Sequence, residues 1–196
     1  TIKNTHPDFF WLPNMLETLL SATLWGMITS ATIAHKYRQI LKVSAVKTSD
    51  IPEFVDWQGH DFSMRGMYGV DAAAMSGAGH LLSFTGTDTI PAILFLEKYY
   101  NANSDSELIG GSVPATEHSV MCCGGLETEL ETYRRLLTEV YPKGIVSIVS
   151  DTWDFFKVLT EFLPQLKDII MARDGKLVIR PDSGDPANIV CGTMKE

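Results

Sequence analysis

Apolar residues recur at helical spacing near the start of the chain, where Met15, Leu16, Leu19, Leu20 and Leu24 follow Pro13. That pattern predicts an amphipathic helix within residues 8–24, with Asn14 in its first turn. A second helix is predicted over 27–43, its polar His35, Lys36, Arg38 and Gln39 gathered near the end. From there to residue 66 the chain lacks helical periodicity and reads as loop, with a short strand around 55–61. Small residues dominate "VDAAAMSGAGHLL" (70–82), as in a helix packed closely against a sheet. The run "HLLSF" (80–84) reads as a buried strand. Thr89 caps a helix over 89–100 with Pro91 in its first turn. Residues 101–111 form a polar loop that ends in glycine.

In the second half, the clearest amphipathic helix covers 126–140, with Leu126, Leu130, Tyr133, Leu137 and Val140 as its apolar stripe. "GIVSIVSD" (144–151) is a β-branched strand, and the segment after it is largely helix up to Pro164. "KLVIRPDSGDP" (176–186) is a strand that runs into a tight loop. The final "SGDPANIVCGTMKE" has the look of a helix just starting, and residue 1 is threonine, so the chain reads as a fragment of a longer protein. Strands near 80, 111, 145 and 177 alternate with helices, which implies parallel strands joined by right-handed crossovers and an α/β fold. Ligands of such folds gather at the carboxyl ends of the strands.

Composition narrows the picture modestly. A chain of 196 residues, 45% hydrophobic, suffices for one sizeable core or for part of a larger domain. A net charge of −8 argues against a nucleic-acid binder, whose footprint is basic. Cys122, Cys123 and Cys191 are odd in number and form no CxxC, so neither a disulfide framework nor a zinc site is indicated. They read as reduced thiols of a cytoplasmic protein, Cys122 and Cys123 as small buried apolar groups. No apolar run is long enough to span a membrane, and no secretory leader is evident. His6, His35 and His80 read as ordinary surface or core residues.

Five polar clusters stand out: "HDFSMRG" (60–66), "TGTDT" (85–89), "SVPATEHS" (112–119), "SDTWD" (150–154) and "RPDSGDP" (180–186). All but the first fall at or just after expected strands. Arg65 and Arg180, beside glycine, acid or proline, suit a local anion site. Singly, each cluster also fits ordinary structure: "SDTWD" suits a helix cap, "PDSGDP" a turn, and a Glu-His pair is common. Jointly they point to a composite site for a phosphorylated or polyhydroxyl substrate.

In their wording and order, "HDFSMRG", "GTDT", "SVPATEHS", "SIVSDTWD" and "LVIRPDSGDP" resemble the nicotinamide phosphoribosyltransferase family of type II phosphoribosyltransferases. The opening "NTHPDFFWLPNMLETLL" is similar to the family segment that precedes these motifs. The resemblance covers this whole chain but only the middle of a family member. It implies an open, irregular α/β barrel of which residues 1–196 form part. It also implies a homodimer with a shared active site. The implied reaction makes nicotinamide mononucleotide from nicotinamide and 5-phosphoribosyl 1-diphosphate, supported by Mg2+ and coupled to ATP through a phosphohistidine.

By the same resemblance, Phe62 stacks on the pyridine ring, opposite an aromatic residue of the other subunit. Arg65 faces the diphosphate, and Asp88 accepts a hydrogen bond from the amide, which favours nicotinamide over nicotinate. Ser112 and Val113 line the base tunnel. His118 is the phosphorylated histidine, with Glu117 beside it. Ser147 and Asp151 correspond to residues at the next strand end, Arg180 contacts substrate and diphosphate, and Asp182 holds ribose hydroxyls. The sequence departs from the family at Ser63 and Met64, where many relatives carry glycine and an aromatic. The family's glycine-rich 5′-phosphate grip is expected beyond residue 196, so the isolated chain is expected to be inactive. Nicotinate phosphoribosyltransferase, or a non-catalytic piece that keeps the fold, are the alternative readings.

Overall fold

The computed structural model describes residues 2–192, and the chain divides into two compact units, Thr1–Ser112 and Val113–Glu196. The first unit opens with a single long helix, α1 (Leu12–Thr48), where the sequence pattern had suggested two. Trp25 and Gly26 lie between the two predicted helices, but a lone glycine costs a helix only about 1 kcal/mol and does not end it. After a 3-10 segment (Pro52–Trp57) come β1 (His60–Asp61), the single-turn α2 (Ser63–Gly66), α3 (Val70–His80), β2 (Gly86–Thr87) and α4 (Ile90–Tyr100).

Two further expectations fail in this unit. "HLLSF" is not a strand: it is the end of α3 and the turn after it, with Ser83 and Phe84 buried and Leu82 exposed. The strand lies a few residues later, where β2 pairs in parallel with β1, Gly86 also bridging to Gly111. An apolar run this short does not distinguish a buried strand from a helix end. The small residues of α3 serve helix contacts rather than a sheet. A Cβ on Gly79 would meet the Met27 carbonyl oxygen of α1 at 2.5 Å, and one on Gly77 would meet Ala92 of α4 at 2.8 Å. Met27, Ala78 and Leu96 form the core where these three helices meet, and Ala34, Ala45, Val55 and Phe84 form another.

The second unit has its own core, in which Met121, Tyr133, Leu137, Val146, Ile148, Val158 and Leu166 are essentially inaccessible. Its elements are α5 (His118–Cys122), α6 (Glu129–Arg135), β3 (Lys143–Val149), α7 (Phe155–Lys157), α8 (Leu163–Ala172), β4 (Asp174–Arg180) and α9 (Pro186–Cys191). The strand β3 pairs in parallel with β4 from Lys143–Asp174 to Val149–Arg180, and Ser147 bridges to Ala115. Parallel pairing with intervening helices confirms an α/β fold.

Pro164 does not end the helix as expected. A π turn (Val158–Phe162) precedes α8 and Pro164 sits in that helix's first turn, where its missing N–H matters least. The Gln165 amide donates to the Glu161 carbonyl at 3.0 Å. Cys122, Cys123 and Cys191 are exposed, contrary to the expectation that the first two are buried. Apolar positions of this unit's core are filled by larger side chains. The expected terminal helix exists as α9, and any continuation past residue 192 lies outside the described residues. Among the described residues, no helix is long and apolar enough to cross a membrane.

Candidate functional site

In the first unit, the chemistry sits at the carboxyl ends of β1 and β2. The strand β1 delivers His60 and Asp61, followed by Phe62, and β2 leads into Asp88 and then Thr89 at the start of α4. Alternation splits the two acids. Asp61 points inward, buried, and accepts from the Ser63 hydroxyl and from Thr87 Oγ1 at 3.0 Å. Burial opposes its ionisation, but these hydroxyls and the Ser63 N–H hold its carboxyl below the usual range. Ser63 therefore has a structural task. Met64 is exposed, and its N–H donates to Thr89 Oγ1 at 3.1 Å.

Asp88 points outward. His60 Nε2 lies 2.9 Å and Ser112 Oγ 2.5 Å from the same oxygen, Oδ1. Partial burial pushes the Asp88 carboxyl up, and the hydrogen bonds from Ser112 and His60, with the charge of His60 and Arg65, outweigh it and leave it lowered. Phe62 is exposed and its ring meets that of His60 at 5.1 Å between centroids. The first unit thus gathers Phe62, Asp88 and Ser112 around His60, with Arg65 on α2 contributing positive potential.

In the second unit the carboxyl ends of β3 and β4 and the start of α5 come together. His118 is the first residue of α5, with Glu117 at the cap position, exposed like the histidine. His118 Nε2 lies 3.0 Å from Asp151 Oδ1, just beyond β3, and Nδ1 lies 3.9 Å from Asp182 Oδ2, just beyond β4. The other oxygen of Asp151 accepts from the Asp182 N–H at 2.9 Å and the Ser183 hydroxyl at 2.6 Å. Burial opposes ionisation of Asp151, but the Ser183, Asp182 and His118 donors keep its carboxyl below the usual range. An ionised carboxylate only accepts, so His118 carries its proton on Nε2. On a neutral ring the lone pair is then on Nδ1.

Arg180, the last residue of β4, donates to the Thr116 carbonyl at 2.6 Å and stands 3.8 Å from Asp182. Its Nε is buried without a hydrogen-bond partner among the described residues, as is Thr152 Oγ1. Ser147 lies inside β3, buried, where its backbone joins Pro114 and Thr116 at 2.9 Å each. It anchors the segment that carries Val113, Glu117 and His118 rather than standing at a strand tip. His60, Thr116 and Ser183 were not singled out by the sequence, although all three lie within the quoted motifs.

Parallel strands whose polar tips carry an ionised carboxylate beside an aromatic ring, and a histidine between two carboxylates, define an α/β protein with candidate ligand-binding groups at its strand ends. Residues 57–195 match the Nicotinate phosphoribosyltransferase (NAPRTase) family, and the chain belongs to that family. Over 98% of its length it is 57% identical to a protein named nicotinamide phosphoribosyltransferase from Acinetobacter baylyi, of which it covers 39%. It is 39% identical over 97% of its length to one of the same name from Xanthomonas campestris pv. campestris, covering 40% of it. With the namesake from Mycoplasma pneumoniae it shares 40% identity over 94% of its length, covering 38% of that protein. The chain thus spans about two fifths of the length of the curated relatives it matches.

Proposed function

We propose that this chain is part of a nicotinamide phosphoribosyltransferase, which joins nicotinamide to the phosphoribosyl group of 5-phosphoribosyl 1-diphosphate and releases diphosphate. The observation that carries this reading is Asp88, an ionised carboxylate with both its side-chain donors on Oδ1, set beside the exposed ring of Phe62. A pyridine stacked on Phe62 presents its 3-substituent to Asp88 Oδ2. An amide N–H donates to that oxygen, whereas the carboxylate of nicotinate is repelled by it. The names of the relatives agree with the amide.

In the transfer, the pyridine nitrogen forms a bond to the anomeric carbon as the bond to diphosphate breaks. Positive charge develops on the ribose and negative charge on the leaving group, so electrostatic placement matters more than a strong nucleophile. Arg65 and Arg180 are the cations that meet diphosphate oxygens, where a guanidinium fork fits. Asp182 holds ribose hydroxyls, and Ser112 and Val113 line the path of the base. Glu117 and Ser147 support the segment around His118.

Coupling to ATP belongs to His118. Asp151 holds the ring through Nε2, leaving Nδ1 as the atom that takes the terminal phosphoryl group while ADP departs. Among the described residues, no three His, Cys, Asp or Glu side chains converge on a metal site. A magnesium ion carried by diphosphate needs only one or two protein carboxylates. Asp182, about half exposed, fits that requirement, and the ion would neutralise the leaving group. The barrel is completed by chain outside these residues, and a second subunit supplies the other wall of the base pocket.

Turnover of nicotinamide and nicotinate, measured side by side on the full-length protein that carries this chain, tests the proposal. The wild type should prefer the amide. Asp88→Asn should shift the preference toward nicotinate by about tenfold or more, the scale of one charged hydrogen bond. A wild-type preference for the acid would instead favour nicotinate phosphoribosyltransferase, the reading suggested by the family's own name.

A further inference from the structure

Asp88 has to present one particular oxygen, and what fixes its rotamer is a histidine that none of the motif assignments uses. His60 precedes Asp61 on β1, and its Nε2 is 2.9 Å from Asp88 Oδ1 across the β1–β2 pair. Since an ionised carboxylate accepts only, His60 is the donor and Nε2 carries the proton. Ser112 Oγ approaches the same oxygen at 2.5 Å, and Oδ2 takes no hydrogen bond among the described residues. Two donors on one oxygen pin the carboxylate and leave the other oxygen open.

The imidazole is itself held. A Cβ on Gly86 would come within 2.6 Å of His60 Nδ1, so β2 passes against the ring with no room for a side chain. Its other contact is Phe62, at 5.1 Å between ring centroids. His60 therefore touches both groups assigned to the base: the aromatic ring and the carboxylate. The charged and titratable groups around it are Asp88 from the start of α4, Arg65 from α2 and His80 from α3, with Asp61 facing the opposite side of β1. His80 is occupied with the Gly86 carbonyl at 3.1 Å and with stacking on Phe84. It does not compete for Asp88.

We propose that His60 is a specificity-determining positioning residue: with Ser112 it locks Asp88 so that Oδ2 alone faces the base, while its ring buttresses Phe62. The inference rests on the reading of Asp88 as the amide acceptor. It predicts that losing His60 weakens recognition of the base without affecting the phosphoribosyl donor.

The test uses three substitutions in the full-length protein that carries this chain. Glutamine places an amide nitrogen near the position of Nε2, whereas asparagine places one near Nδ1. His60→Ala and His60→Asn should raise the KM for nicotinamide by about tenfold, the effect of one hydrogen bond to a charged group. Their KM for phosphoribosyl diphosphate should stay within about twofold, inside the scatter of a surface change. His60→Gln should restore most of the nicotinamide KM. An unchanged nicotinamide KM in His60→Ala, or an equal rise for both substrates, overturns the proposal. A second readout is independent of turnover: nitrogen NMR of labelled histidine should show His60 protonated at Nε2 in the wild type, with that preference lost in Asp88→Ala. A ring unprotonated at Nε2, or indifferent to Asp88, overturns the positioning role. If the wild type converts neither base, the functional reading fails, and the NMR result alone decides whether His60 holds Asp88.

Discussion

Among single residues, Glu129 shows most sharply that burial and charge pull against each other. The residue is 1% exposed, and Oε1 has no hydrogen-bond partner among the described residues. Burial raises its carboxyl above the usual range, only partly offset by the charge of Lys157. The consequence for stability has a definite sign. The native state holds the Glu129 proton more tightly than the unfolded chain, so the cost of this group appears as pH rises above about 4.5. Glu129→Gln should therefore stabilise the protein at pH 7 and do so much less near pH 4. Thermal melts at the two pH values check this; an equal gain at both would mean that charge is not the cause. His118 lies at the opposite extreme, an exposed side chain held between two carboxylates. His118→Ala should abolish stimulation by ATP in the full-length protein while slower mononucleotide synthesis continues, and stimulation that survives would remove the phosphohistidine from the mechanism.

Among elements, the two glycines inside α1 and α3 look alike in the sequence and are opposite in the structure. Among the described residues, an added Cβ on Gly26 would meet nothing within 4 Å beyond the backbone of its own helix, whereas Gly79 is pressed against the backbone of α1 at 2.5 Å. Gly26→Ala should raise stability by about 0.5–1 kcal/mol through helix propensity alone. Gly79→Ala gains the same propensity, but it forces α1 and α3 apart at a cost of about 1–3 kcal/mol, so it should lower stability. Denaturant midpoints of the two variants should move in opposite directions. The contrast also shows what the sequence could convey. Local signals located α3 by its small residues, α4 by Thr89 and Pro91 at its start, α6 by its apolar stripe, and β3 and β4 by their runs of strand-forming residues. They failed where one residue decides: Gly26 does not break a helix, Pro164 is accommodated by a π turn, and "HLLSF" is too short to choose between turn and strand. The site residues were legible only as motifs. Nothing in the local pattern says that His60 reaches Asp88 or that Ser183 reaches Asp151, since those contacts join segments 28 and 32 residues apart.

At the scale of the whole molecule, the question is what a chain covering about two fifths of its relatives can do by itself. The first unit carries Phe62, Asp88 and Ser112, proposed for the base, with Arg65 for the diphosphate; the second carries Val113 on the base path and Arg180, Asp182 and His118, proposed for diphosphate, ribose and ATP. Yet α1 leaves Trp25, Ile28, Tyr37, Ile40 and Val43 exposed on one long helix. Apolar surface on that scale marks a face meant to be covered. Holding the reacting atoms in register also demands rigid support, because small misplacements cost large factors in rate. The 196-residue chain produced alone should therefore give no steady-state synthesis of nicotinamide mononucleotide, whereas the full-length protein should. Ligand-dependent melting separates failure to bind from failure to react. At a ligand concentration about 100 times Kd, a competent site gains about 2.7 kcal/mol of stability. The full-length protein should show such a shift with phosphoribosyl diphosphate and with nicotinamide, and a smaller one with nicotinate. Turnover by the isolated chain would show that its own residues suffice for the reaction and would overturn the view that the remainder of the protein is needed to organise them.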